Sequence, residues 1–233
     1  MFAEFFASKE FADAMTILQN EFPLAIWETF YVTIVSTAIA ILIGLPLGVL
    51  LAVGGKDGIL PLPRWLLTLL DVLINLLRSV PFLILMIMVF PLTRLIVGTV
   101  VGTPATIVPL VIAAFPFIAR LVEGSLREIN PNIIETAQSM GASPLQIIVK
   151  VMLPEAVPSL ISNATIAITT VLGYSAMSGA IGGGGLGKIA INYGYNRYQY
   201  LVMAFAVVFL ILLVQIFQSL GTKLAVKCDK RLK

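Results

Sequence analysis

The chain has 233 residues, 59% of them hydrophobic and 12% charged, where soluble domains average roughly 45–50% and 25%. That balance identifies a polytopic membrane protein, read as all-α because its uncharged runs have the length of membrane helices. With no histidine and a single cysteine, Cys228, the chain offers no Cys/His metal centre, no histidine acid–base chemistry and no internal disulfide. The net charge of +3 is scattered among apolar runs, with no basic stripe to hold nucleic acid.

Residues 1–24 form a lead-in. Glu4, Lys9, Glu10, Asp13 and Glu21 break up any signal-peptide core, while Phe2, Phe5 and Phe6 leave room for a short amphipathic helix lying on membrane lipid. The transmembrane domain, 25–222, then holds five spans at about 26–53, 65–93, 104–122, 156–178 and 201–221. Phe30 to Val53 carries no charge and exceeds the roughly 20 residues a bilayer core requires. Gly44, Pro46 and Gly48 interrupt its second half. The second span holds Asp71 and Arg78, read as interfacial charges on a helix that crosses from about Arg78. The third ends in Arg120, Glu123 and Arg127, a ladder with steps of three and four residues that continues the helix beyond the bilayer.

Between the third and fourth spans lies a polar interlude, 130–154, whose residues spell two short helices. Asn130 can cap the first and Pro131 can open it. Gly141 stands where a left-handed C-terminal cap is wanted, Ser143 and Pro144 restart the chain, and Pro154 is expected to end the second helix. Ile133, Ile134, Ala137 and Met140 share one face of the resulting elbow. That face either packs on the protein's own loops or at lipid, or receives a separate subunit.

In the fourth span Ser162, Thr165, Thr169, Gly173 and Ala176 form one small, weakly polar stripe. It suits tight helix packing or the wall of a substrate path on a twofold axis. Asn163 lies beside the stripe, and its amide needs a partner. Met177, flexible and near the far end, can close a gate against its symmetry mate. The segment Gly182 to Lys188 mimics nucleotide-binding loops but lacks the Ser or Thr after the lysine, so a close-approach turn is the better reading. A basic tail, 223–233, follows the fifth span with Lys223, Lys227, Lys230, Arg231 and Lys233.

Charge placement orients the spans. With the tail inside, Lys56, Arg64, Arg120, Arg127 and Lys150 join it, and only Lys9, Arg94, Lys188 and Arg197 lie outside. Positive-inside bias thus places the N-terminus outside, and the elbow and C-terminus in the cytoplasm. None of the spans has a central acidic residue of the kind an ion-driven secondary transporter uses.

Glu135, Thr136, Ala137, Gly141, Val151, Leu153 and Pro154 resemble, in spacing, the EAA loop of type I ABC-importer permeases, departing at Thr136 (usually Ala) and Val151 (usually Ile). Trp27-Glu28-Thr29, Gly44 to Gly48, Arg78 to Phe82, Pro116 to Arg120, Gly173 to Met177 and Tyr193-Gly194-Tyr195 resemble the methionine-import permeases of bacterial ABC systems. The resemblance implies a homodimer in the bacterial inner membrane and two cytoplasmic ATPase subunits coupled through Glu135, Ala137, Gly141, Leu153 and Pro154. It also implies an external methionine-binding lipoprotein and alternating access. The chain itself is then no enzyme and holds no cofactor, ATP and Mg belonging to the ATPase partner. A betaine, a phosphonate or another amino acid is the alternative solute.

Overall fold

The computed structural model describes residues 9–56 and 58–229, so Phe2, Phe5, Phe6 and the end of the basic tail lie outside the described residues. Lys9–Asn20 forms α1 and Phe22–Val53 forms α2, the first span. Pro46 lies inside α2 without ending it. Gly44 and Gly48 do not interrupt the helix as expected; they thin it where α6 (Thr103–Arg127) passes, since a side chain at Gly44 would meet Phe115 O and Ile118.

The second span departs from its sequence reading. Arg64–Ser79 forms α3, and Phe82–Met88, α4, leaves it at 109°. The cause is local. Val80, immediately before Pro81, is driven to extended dihedrals (φ −83°, ψ 126°), and a helix cannot pass through such a residue. The helix expected to cross from about Arg78 is instead bent at Val80–Pro81, as a broken span or a re-entrant loop, and is followed by α5 (Phe90–Val97), which Gly98 closes at φ 84°.

After α6 come α7 (Pro131–Ser139) and α8 (Pro144–Ile147), then a π-helical stretch, Ile148–Met152, and α9 (Leu153–Ser178). A short 3₁₀ turn, Gly179–Ile181, leads to α10 (Gly185–Ile189), a second π-helical stretch (Ala190–Tyr195) and α11 (Tyr200–Cys228). Among the described residues four helical segments are long and apolar enough to cross a membrane, and the bent pair α3–α4 makes a fifth candidate span. Apolar side chains such as Leu42 and Leu95 stand exposed on these helices, as they can where lipid or another chain covers them.

The chain divides into two compact units. One contains residues up to Thr37, Pro81–Val111 and Ile168–Phe217. Its core joins Ala14 of α1, Phe22 and Ala25 of α2, Leu186 and Ile189 of α10, and Val202 and Ala206 of α11. The apolar face of α1 therefore packs on the protein itself. Phe82 of α4 stacks on Tyr174 of α9, ring centroids 4.6 Å apart.

The other unit contains Ala38–Val80, Ile112–Ala167 and the residues from Gln218. Leu51, Ile74 and Ala119 form its buried cluster, packed by Leu47 and Leu70. Asp71 does not face solvent alone: it pairs with Arg120 of α6, which also donates to Asn75 Oδ1 (3.0 Å) and Glu123 Oε2 (2.7 Å). Arg127 closes the network on Glu123 Oε1 at 2.7 Å.

Candidate coupling elbow and translocation helix

The elbow is assembled by local capping chemistry. Asn130 accepts from the Asn132 N–H at 3.0 Å, and Pro131 occupies the first turn of α7. At the other end Gly141 adopts φ 80°; its N–H donates to Gln138 O (2.9 Å) and the Ala142 N–H to Ala137 O (3.1 Å). These two bonds form a Schellman closure, the standard way to satisfy the last carbonyls of a helix. Ser143 and Gln146 then exchange side-chain and backbone bonds as a capping box that starts α8.

Exposure separates the two limbs of the elbow. No residue of α7 is buried; Glu135 is exposed and Ala137 half-buried. Ile147, Ile148 and Met152 anchor the second limb inward, while Met140 (82% exposed), Leu145 and Val149 point outward. An apolar surface thus stands on a rigid, fully capped support.

Pro154 does not end the second limb. Between Ile148 and Met152 the winding widens, and the Leu153 N–H donates to Ile148 O, five residues back rather than four. That wider turn absorbs the donor a proline lacks and relieves its ring, so the helix runs on through Leu153 and Pro154 into α9. The expected stop at Pro154 is thus corrected: Pro144–Ile181 is one candidate span of 38 residues.

Along α9 the stripe splits. Thr165 is buried, donates to Ile161 O (2.8 Å) and lies against Gly221 of α11, where any larger side chain would collide with it. This is close helix packing. Asn163 donates from Nδ2 to Ser125 Oγ (2.7 Å) and Leu121 O (3.1 Å), tying α9 to α6. Ser162 is exposed and, with Ser125, Ser159 and Glu155, lines a cavity of about 360 Å³. Thr169 is half-buried. Gly173 is open to space on its side-chain face, and Met177 is 49% exposed. Ser162, Ile166, Gly173 and Met177 recur at helical spacing, so α9 keeps one uncovered face.

Past α9, Gly182 to Lys188 does form a close-approach turn. Gly182 takes φ 94° and its carbonyl accepts from the Gly102 N–H at 2.8 Å. The turn exits into α10, whose Gly185, Leu186 and Gly187 are buried.

With this arrangement described, comparison with known proteins is decisive. Residues 44–224, which take in the elbow, α9 and most of α11, match the family described as binding-protein-dependent transport system inner membrane component. The chain belongs to that family. This inner membrane component is 50% identical over 210 residues to the probable D-methionine transport system permease protein MetI of Vibrio cholerae serotype O1, covering 89% of the chain and 92% of that relative. It is 48% identical over 154 residues to the D-methionine transport system permease protein MetI of Escherichia coli K12, covering 66% and 70%. A solved structure described as inward facing conformations of the MetNI methionine ABC transporter superposes with a TM-score of 0.86 at 45% identity, covering 88% of the chain and 95% of the other. An amino acid ABC transporter crystal structure at 16% identity (TM-score 0.68) shares the fold.

Two features of this inner membrane component are not evident from sequence pattern. The ladder Arg120, Glu123, Arg127 was readable, but its tie to Asp71 spans 49 positions. Glu28 and Thr29, part of a motif that resembles the family but with no role legible in the pattern, bond backbone 157 positions away.

Proposed function

We propose that the chain is the membrane permease subunit of an ATP-driven methionine importer, working as a homodimer by alternating access. What carries the reading is the elbow: an exposed apolar face on a support capped at every end, in a chain half identical to relatives named for D-methionine transport. Glu135, Ala137 and Gly141 form the part that seats in an ATPase subunit, and Leu153 and Pro154 carry its movement into α9. ATP and Mg belong to that partner. A ligand shifts a two-state equilibrium only by binding the two states differently, so nucleotide bound elsewhere must act through this contact.

In this reading the uncovered face of α9, with Ser162, Gly173 and Met177, turns toward the symmetry axis and the solute path. Thr165, Thr169 and Asn163 hold the helix behind it, and Met177 is the gate. Methionine is delivered by an external binding lipoprotein to an outer side that bears the N-terminus. Charge placement supports this sidedness: Lys56, Arg64, Arg120, Arg127, Lys150 and the basic tail fall on the inner side, against Lys9, Arg94, Lys188 and Arg197 on the outer. Co-expression with the cognate ATPase and binding protein, purification, and uptake of labelled D- and L-methionine into proteoliposomes tests the proposal. ATP-dependent accumulation of methionine is expected. An ATPase that fails to co-purify, or uptake of another solute in its place, would overturn it.

A further inference from the structure

The glycine-rich turn after α9 is gripped from two sides. On one side it lies against the end of α9: a side chain at Gly187 would run into the Ala176 backbone, and one at Gly179 into the backbone of Gly187 and Lys188. Leu186, between them, is completely buried. On the other side α2 holds the turn's exit by two hydrogen bonds. The Gly185 N–H donates to Glu28 Oε2 at 2.8 Å, and the Leu186 N–H to Thr29 Oγ1 at 2.9 Å. The Thr29 hydroxyl is itself oriented, donating to Ala25 O at 2.8 Å. Gly184 lies so close to Glu28 that an added side chain would come within 2.7 Å of the carboxylate.

Met177 sits in the stretch this turn presses on. Its neighbours Ser175 and Ser178 are buried, their hydroxyls donating to Leu172 O (2.8 Å) and Ser175 O (2.6 Å), while Met177 alone projects outward. Where its thioether stands is therefore decided by the backbone from Ala176 to Gly179. We propose that Glu28 and Thr29 are positioning residues that clamp the glycine-rich turn onto the end of α9 and thereby set where Met177 stands, an inference that rests on the gate reading above. A carboxylate receiving a backbone N–H makes a charge-assisted, directional bond, which suits a fixed stop better than apolar contact does.

The test uses the full chain with its ATPase partner in membranes, carrying Met177→Cys in a Cys228→Ser background, and reads the rate of maleimide labelling at position 177. Glu28→Ala is expected to raise that rate several-fold. Glu28→Gln, whose amide oxygen still accepts from the Gly185 N–H, should return it close to the parent. Thr29→Val, which keeps the bulk and loses the acceptor, should give a smaller rise and replaces Glu28→Ala if that variant misfolds. Unchanged labelling in Glu28→Ala and Thr29→Val, or an equal rise in Glu28→Gln, would overturn the clamp. ATP-independent methionine leak through Met177→Ala is measured in parallel. A leak-tight Met177→Ala with shifted labelling in the Glu28 variants would remove the gate and still support the clamp.

Discussion

At the scale of single residues, Gly141 shows how one backbone angle can matter more than the space around it. Nothing lies within 4 Å of where its side chain would be, so a larger residue meets no neighbour. The obstacle is φ 80°, a left-handed conformation that costs a residue with a Cβ about 1–2 kcal/mol, and a β-branched one more. Gly141→Val should therefore insert and dimerise normally while tilting α7 away from α8. Measured in proteoliposomes, ATP hydrolysis should persist with methionine uptake reduced roughly tenfold, which is what about 1.4 kcal/mol amounts to in an equilibrium between two elbow geometries. Wild-type uptake by this variant would take Gly141 out of the coupling. Gly141 was readable from sequence because helix caps are local: Asn130, Pro131, Gly141, Ser143 and Pro144 each act within about three residues of themselves.

Between elements, the strongest polar tie runs from α3 to α6. Arg120 is 21% exposed at its side chain and serves Asp71, Asn75 and Glu123 at once, with Arg127 completing the charge balance on Glu123. Arg120→Gln leaves two carboxylates facing each other with half their compensation gone. Because Asp71 is 48% exposed, water recovers part of the loss, and about 2 kcal/mol of destabilisation is expected. A thermal-unfolding midpoint about 5 °C lower in detergent would agree with that magnitude. Asp71→Asn combined with Arg120→Gln should recover part of it, and strict additivity of the two would show that the pair is not coupled. Interactions of this kind escape sequence reading. The ladder on α6 is visible in its steps of three and four residues, but no period connects Asp71 to Arg120 or Glu28 to Gly185. The break at Val80–Pro81 had its signal in plain view; its meaning depended on whether neighbours would support a kinked span, which hydropathy does not record. Pro154 misled for the same reason, since one widened turn cancels its usual effect.

For the molecule as a whole, sidedness is the property on which every proposed contact depends. Cys228 is exposed and is the chain's single cysteine, so it reports the position of the α11 end without any substitution. An impermeant maleimide should label it in inside-out membrane vesicles and not in right-side-out ones; the reverse pattern would place the elbow on the wrong face for an ATPase. The continuity of Pro144–Ile181 gives that orientation its mechanical meaning. At about 1.5 Å per residue the segment is roughly 55 Å long. Because the widened turn before Pro154 leaves no break between the elbow and α9, a push on the elbow is expected to enter the helix instead of being absorbed at the proline.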